Sequence, residues 1–219
     1  MLGWKHTYNL CGWKKYAPFD TVGRPNTVYG LFKMKNIADM ETRKLKWRKM
    51  RPIAPGTRHP MKRLLHLAGR AWHFISRHLP GEHFVMNTTL EVPGFLQRAA
   101  TELENIPGKL RVVLRDIEGC FPNMPKPIIK QAALDVTHQL RRERGVEGVW
   151  VPRRGKKKPC LWDISKSMER KYRWFPFCEL TRILQFSLDH AIVRMPNGKL
   201  LVQSKGIPMG DPLRAQEQR

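Results

Sequence analysis

One segment near the middle of the chain, residues 110–127, constrains the fold more than any other. Apolar residues occupy every second position from 110 to Leu114, and arginines stand at positions 111 and 115. This alternation predicts a buried or half-buried β-strand. Asp116 follows the strand, Phe121 comes five residues later, and prolines up to Pro127 end the extended run and begin a helix. Asp116 either caps the turn, with Phe121 in the core, or holds a ligand at the end of the strand.

Positive charge is spread over the whole sequence. The 219 residues contain 41 Lys and Arg against 18 Asp and Glu, a formal net charge of +23. A field of this sign attracts phosphate backbones, so nucleic acid is the leading partner and an acidic membrane the lesser one. A basic ribosomal-type protein or a merely solvated surface remains an alternative. The hydrophobic content of 41% can bury a core, which excludes a disordered tail.

The cysteines, the histidines and the apolar runs indicate the cellular compartment of the protein and whether it binds a metal. The four cysteines lie far apart without a Cys-x-x-Cys pair, which indicates reduced thiols. The histidines between residues 59 and 78 have no acid or cysteine at ligand spacing, which favours snorkelling or phosphate contact over a metal. No run approaches the ~18 apolar residues of a membrane span, and the first nineteen residues lack an apolar signal core. We expect an intracellular, nuclear or organellar protein that is not secreted and has no membrane partner.

The N-terminal part predicts an irregular start followed by a basic hairpin. Residues 1–26 lack periodicity and are expected to form an irregular basic lead-in. Strands over 28–35 and 45–53 predict an antiparallel hairpin. Its cations, Lys33 and Lys35 among them, either grip a triphosphate or template strand or simply protect an ordinary sheet edge.

Helical periodicity and a cationic loop organise the rest of the chain. Helices are predicted over residues 60–79, 93–105, 127–145 and 176–188. The second is expected to bury Phe95, Leu96, Ala99 and Leu103, and the third to present Ile128, Ile129, Ala132, Val136 and Leu140. Residues 149–151 and 160–162 predict a hairpin around a loop containing Arg153 and Arg154. That loop contacts a nucleic-acid backbone or is only solvated.

A last hairpin leads into a glycine-containing turn. Strands over 191–195 and 199–202 are predicted to pair across Asn-Gly, a dipeptide that adopts positive φ values easily. The return strand enters residues 206–210, where two glycines allow the backbone to pass close to something flat, such as a base pair. Taken alone, this string indicates a turn.

Three of these segments follow one another in the order seen in reverse transcriptases. They are the basic hairpin ending at residues 49–53, the unit from Asp116 to Phe121, and residues 206–213. Over residues 27–213 the chain resembles the fingers and the first palm half of such a polymerase. The resemblance implies an α+β fold, a right-hand polymerase with fingers at 27–107 and a partial palm at 108–219. It also implies an antiparallel sheet backed by helices and no thumb.

The resemblance also implies a metal-dependent site. Asp116 takes the place of the family's first metal-binding carboxylate, and the backbone carbonyl of Ile117 helps to hold Mg²⁺ or Mn²⁺. Phe121 takes the place of the sugar gate, whose ring occupies the volume of a ribose 2′-hydroxyl. Arg51 matches the position that holds the triphosphate, with Lys49 or Arg48 nearby and the register between 48 and 51 open.

The glycine turn matches the element that lies against the templating base and the nascent pair. Met209 stands where many members carry glutamine. The expected nucleotide-binding residues are Arg48, Lys49, Arg51, Phe121, Met209 and Gly210. The expected template and primer contacts are Lys33, Lys35, Arg153, Arg154, Gly206, Ile207 and Pro208.

Two departures from the family pattern bear on the expected activity. No Asp-Asp pair occurs in the 219 residues, and the usual Pro-Leu-Ser-Pro is replaced by Pro-Leu-Arg-Ala at 212–215. One carboxylate holds two metals poorly, so we expect a truncated retroelement reverse transcriptase domain that is inactive alone. The remaining carboxylates and the thumb are expected beyond residue 219, and a partial palm is expected to leave an exposed edge and apolar surface.

The expected partners follow from the family reaction, the transfer of deoxynucleotides onto a primer 3′-hydroxyl. They are an RNA template, a DNA primer and deoxynucleoside triphosphates, while the oligomeric state stays open. Two alternatives remain at this point. One is a non-catalytic basic RNA- or DNA-binding protein derived from the same fold, and the other is a basic α+β domain whose motif matches are accidental.

Overall fold

The computed structural model describes residues 2–32, 50–79, 89–104, 123–153 and 158–206. Within these ranges the fold is mixed α+β, as predicted, with five helices and three small sheets. The helices are α1 (Leu2–Leu10), α2 (Lys62–Ser76), α3 (Val92–Glu102), α4 (Lys126–Arg144) and α5 (Phe177–Asp189). The strands are β1 (Asn26–Thr27), β2 (Tyr29–Phe32), β3 (Met50–Ile53), β4 (Gly148–Pro152), β5 (Tyr172–Pro176), β6 (Ile192–Arg194) and β7 (Leu200–Val202).

The N-terminal segment belongs to the core, so the expectation of an irregular lead-in is wrong. Trp4 and Tyr8 lie four residues apart in α1 and therefore share its buried face. Trp13 follows in a short 3-10 turn and is fully buried. Its Nε1 donates a hydrogen bond to Glu179 Oε2 of α5 at 2.9 Å, and Tyr8 Oη donates to the carbonyl oxygen of Ala17 at 2.6 Å. The Tyr8 bond holds the segment together, and aromatic packing with the Trp13 hydrogen bond fastens it to α5.

The predicted helices at 60–79 and from 176 onward form as α2 and α5, and both supply the core. The two helices pack against each other, and α2 also packs against β4. Their buried apolar side chains recur at helical spacing: Leu64, Leu65, Ala68, Ala71 and Ile75 of α2, and Phe177, Leu180, Ile183 and Leu188 of α5. Burial of each large apolar side chain contributes about 1.5–3 kcal/mol, so this helix pair contributes substantially to stability.

The helices predicted over residues 93–105 and 127–145 form as α3 and α4, but the side chains that they bury differ from those expected. In α3, which the structure describes completely, no residue is buried, and Phe95 and Leu96 are 45% and 50% exposed. In α4, which ends before Gly145 as predicted, Ile128 is exposed, while Ala133, Thr137 and Leu140 are the buried residues. Periodicity identifies a helix, but it does not decide which stripe a neighbouring element covers.

The hairpin predicted around the cationic loop is wrong in its pairing. β4 pairs antiparallel with β5 over five positions, from Gly148 opposite Pro176 to Pro152 opposite Tyr172. The expected partner, residues 160–162, contributes one bridge between Trp150 and Leu161. A strand five residues long forms more ladder hydrogen bonds than a three-residue segment, so β5 is the main partner of β4.

Gly148 is required where β4 and β5 pair most closely. A Cβ atom added there would lie 2.4 Å from the carbonyl oxygen of Phe175 and 2.8 Å from Pro176 Cα, both backbone atoms. We therefore expect Gly148→Ala to lower the free energy of unfolding by about 2 kcal/mol, measured by urea denaturation. Gly3→Ala in α1 is the matched control, because nothing lies within 4 Å of its added Cβ. Equal stability of the two variants would contradict the close approach.

The predicted hairpin at 191–202 forms as β6 and β7, and β1 extends its sheet. β1 pairs parallel with β6, with Asn26 opposite Val193, and β6 pairs antiparallel with β7. In the turn Gly198 has a φ of 85°, whereas Asn197 has no positive φ and accepts the Lys199 N–H through Oδ1 at 3.1 Å. This is a three-residue loop with one left-handed position. The side chains of β7 are exposed apolar residues on a sheet edge.

Candidate nucleotide and nucleic-acid site

The basic hairpin of the sequence prediction forms as β2 and β3. They pair antiparallel from Tyr29 opposite Ile53 to Phe32 opposite Met50, which places Arg51 opposite Leu31. The structure describes the backbone of Arg51 and not its side chain. Lys33, Lys35, Arg48 and Lys49 fall in residues 33–49, outside the described residues.

This hairpin is joined to the sheet of β6 and β7. β1 lies alongside β6, and the Val28 N–H donates to the carbonyl oxygen of Arg194 at 2.8 Å. β2 begins at Tyr29, the next residue. The start of the hairpin is therefore anchored on the strand pair that leads towards Gly206.

A backbone hydrogen bond joins the start of the glycine turn to the chain just after Phe121. Gly206 is buried with a φ of 69°, and its N–H donates to the carbonyl oxygen of Met124 at 2.8 Å. Met124 lies three residues after Phe121, and Gly206 is the first residue of the glycine turn. The residue three positions after Phe121 thus contacts the first residue of the glycine turn. The other expected residues there, namely Asp116, Ile117, Phe121, Ile207, Pro208, Met209 and Gly210, lie outside the described residues.

Two lysines that the sequence did not single out lie beside this junction. Lys126 is the first residue of α4, two residues after Met124, and Lys130 follows one turn later. Lys130 Nζ contacts both carboxylate oxygens of Asp189, at 2.7 and 2.8 Å. The pKa of Lys126 is lowered overall, mainly by burial. The charge of Asp189 raises it and the charge of Lys130 lowers it. The Asp189 carboxylate thus pairs with Lys130 and also acts electrostatically on Lys126, which lies two residues after Met124.

A small, mostly apolar cavity with a few polar lining residues lies beneath the β1–β6 junction. Its volume is about 10 Å³, close to the space of one water molecule, and its lining includes Asn26, His59, Ser187 and His190. Among the described residues, buried Asn26 Oδ1 has no hydrogen-bond partner. His59 stacks on Trp4 with ring centroids 5.1 Å apart, and its Nδ1 accepts the Met61 N–H at 3.1 Å. Because Nδ1 is an acceptor, neutral His59 carries its proton on Nε2.

Burial lowers the pKa of His59 to about 4. A charged imidazolium loses its hydration in this environment, and protonation of Nδ1 would also remove the acceptor of the Met61 N–H. His59 is therefore a neutral structural histidine below the strand that anchors the basic hairpin.

Arg153 lies elsewhere, at the end of the β4–β5 ribbon. Its side chain is exposed, and its Nε donates to the carbonyl oxygen of Tyr172 at 2.8 Å. Arg154 is outside the described residues. In the described part of the chain, no contact joins Arg153 to the Gly206 and Met124 junction.

The described ranges contain no group of three or more His, Cys, Asp or Glu side chains able to hold a metal ion. Cys11, Cys160 and Cys178 are free thiols, and burial raises the pKa of Cys160 to about 11. None of the helices in these ranges combines the length and apolar character needed to cross a bilayer.

Comparison with protein-family models, with curated proteins and with solved structures found no match.

Proposed function

We propose that the chain supplies the fingers and the first palm half of a reverse-transcriptase-type polymerase. The observation that supports this most directly is the Gly206 N–H to Met124 O hydrogen bond, which joins the first residue of the glycine turn to a residue three positions after Phe121. The bond between Val28 and Arg194 links the third segment to the same sheet. A polymerase needs its metal ligand, its triphosphate grip and its template contact in one place, because catalysis of phosphoryl transfer is mostly positioning and charge stabilisation.

The proposed roles follow the order of the segments. Arg51, with Lys49 or Arg48, binds the triphosphate as a cationic donor. Phe121 excludes the ribose 2′-hydroxyl, and residues 206–210 lie against the nascent pair. Lys126 adds a cation near Met124 for a phosphate of the bound nucleic acid.

Asp116 and the carbonyl of Ile117 are the proposed ligands of a divalent cation. Carboxylate and carbonyl oxygens are the ligand types that Mg²⁺ prefers, so the donor set fits in kind. When bound, the ion activates the primer 3′-hydroxyl and neutralises charge on the triphosphate. A single carboxylate holds two ions poorly, so we propose that the 219 residues alone bind substrates without sustained primer extension.

Retention of a nucleotide on a primed template tests this function. The full chain is incubated with an RNA template annealed to a DNA primer, Mg²⁺ and either the complementary deoxynucleotide or its ribonucleotide. We expect the complementary deoxynucleotide to be retained preferentially. Phe121→Ala is expected to reduce the preference for deoxyribose by about ten-fold, or about 1.4 kcal/mol, because the volume of the 2′-hydroxyl becomes available.

Phe95→Ala serves as the matched control, since Phe95 is a half-exposed aromatic residue of α3. Retention that ignores the templating base, or a sugar preference that changes equally in both variants, would contradict the proposal. Primer extension that depends on Asp116 would support the polymerase function and overturn the expectation of inactivity.

A second candidate is a non-catalytic nucleic-acid-binding protein of the same fold. The net charge of +23 favours it independently of the motifs. RNA binding that is strongly salt-dependent and unchanged by Asp116→Ala, without nucleotide retention, would identify this function.

A further inference from the structure

Arg70 of α2 holds together the two ends of the cationic loop that follows β4. One terminal nitrogen of its guanidinium donates to the carbonyl oxygen of Pro152 at 3.4 Å, and the other donates to that of Lys158 at 2.6 Å. Cys160 Sγ lies 3.7 Å from the carbonyl oxygen of Arg70 itself. One side chain and one helix therefore fix the positions at which the loop leaves and rejoins the fold.

Exposed cations from three stretches of the chain meet at this end of the ribbon. Arg153 follows β4, Lys158 closes the loop, and Arg170 and Lys171 precede β5. The pairing of Pro152 with Tyr172 brings these stretches together, and the Arg153 N–H donates to the carbonyl oxygen of Lys171 at 3.0 Å. We call these four residues the basic ribbon end.

The described structure offers little neutralisation for this charge. Of the 19 residues from 153 to 171, eight are Lys or Arg and two are Asp or Glu, a net charge of 8 − 2 = +6. The two carboxylates, Asp163 and Glu169, are exposed, and Asp163 Oδ1 accepts the Ile164 N–H at 2.8 Å. The ion pairs among the described residues involve α4, α5 and Glu147 instead.

More positive charge lies behind the basic ribbon end. Arg173 points to the N-terminal segment, where its guanidinium donates to the carbonyl oxygen of Tyr16. Burial lowers the pKa of Arg173, and the charge of Arg153 lowers it further. Like charges held this close repel each other, and a bound polyanion would relieve that repulsion.

We propose that the basic ribbon end is a docking surface for the sugar–phosphate backbone of a nucleic acid, and that Arg70 is its positioning residue. The surface is separate from the junction of Gly206 and Met124. The inference rests on the proposed function for the class of partner alone, and it requires no catalysis. A membrane fits less well, because interfacial binding uses exposed apolar side chains. None of the exposed large apolar residues that the structure describes belongs to residues 148–176.

Two matched double variants test the surface in the full chain. R170Q/K171Q removes two cations from the basic ribbon end, and R142Q/R144Q removes two from the end of α4, close to the opposite end of β4. Affinity for an RNA duplex and for an RNA–DNA hybrid is measured against salt concentration. We expect R170Q/K171Q to weaken binding by roughly ten-fold and to reduce the slope of log affinity against log salt by about 1.5, whereas R142Q/R144Q changes both far less.

Equal losses in the two double variants would mean a diffuse field and overturn the proposal. If R170Q/K171Q lost binding to phosphatidylserine vesicles but kept its RNA binding, the surface would be assigned to a membrane and the proposal would also be overturned. Failure of nucleotide retention together with a specific effect of R170Q/K171Q would reject the polymerase proposal and keep this one.

Arg70→Lys tests the positioning role. Lysine keeps the positive charge but cannot reach both carbonyl oxygens with a planar pair of donors. We expect a several-fold lower RNA affinity with an unchanged salt slope, because the number of phosphate contacts is retained while their arrangement is loosened. An unchanged affinity would remove Arg70 from the proposal.

Discussion

Trp13→Ala is expected to lower the free energy of unfolding by about 4 kcal/mol, the largest effect of any single substitution proposed for this chain. The indole is fully buried, with its ring centroid 5.8 Å from that of Tyr8 and 5.3 Å from that of Phe186. Truncation leaves a cavity between α1 and α5 and removes the hydrogen bond from Nε1 to Glu179. Urea denaturation, followed by far-UV circular dichroism, measures the change.

Two further variants separate packing from hydrogen bonding at this position. Trp13→Phe keeps most of the ring and removes the N–H donor, so it is expected to lose about 1–2 kcal/mol. Leu10→Ala, at an exposed residue of α1, is the surface control and is expected to change stability by less than about 0.5 kcal/mol. Similar stabilities for Trp13→Ala and Leu10→Ala would show that the N-terminal segment does not dock on α5.

Acidification is expected to remove up to about 3 kcal/mol of stability through His59 alone. Its pKa is about 4 in the folded protein, against 6.5 for an ordinary histidine. Between these values the unfolded chain binds a proton that the folded chain does not. The contribution of His59 is therefore complete above pH 6.5, falls as the pH decreases and is lost by about pH 4.

The comparison with His59→Gln isolates this contribution from that of the carboxylates. Glutamine keeps an acceptor for the Met61 N–H and does not titrate. The difference in unfolding free energy between wild type and variant is measured at several pH values from 8 to 4. It should change by up to about 3 kcal/mol in favour of the variant on acidification. A constant difference would mean that His59 titrates alike in both states.

The elements that the sequence predicted correctly are those with a strong local signal. The α2 and α5 helices have regular apolar stripes, and β6 and β7 flank a turn dipeptide. The β2–β3 hairpin was predicted from two basic, β-rich stretches and pairs antiparallel as expected. For the two helices and for β6 and β7, the evidence lies within a short window of residues.

The elements that were missed depend on distant partners. Trp4 and Tyr8 had the spacing of a helix face, but lysines and glycines around them concealed it. β5 pairs with β4 across an insertion, so no short window contains both strands. The candidate site divides in the same way. The sequence identified the candidate segments, and the structure joins Gly206 to Met124, three residues after Phe121. The roles of Asp116 and Phe121 stay predictions.

The contact between Trp13 and Glu179 also bears on the order of folding. The two residues are separated by 166 positions, and Asn26 pairs with Val193 across a similar distance. During synthesis, α1 therefore emerges long before its partner helix exists. Closing such long loops is slow, and an incomplete chain exposes the surface that will later be buried. Trp4, Tyr8 and Trp13 thus stay exposed until their distant partners have been synthesised, which favours aggregation of an incomplete chain.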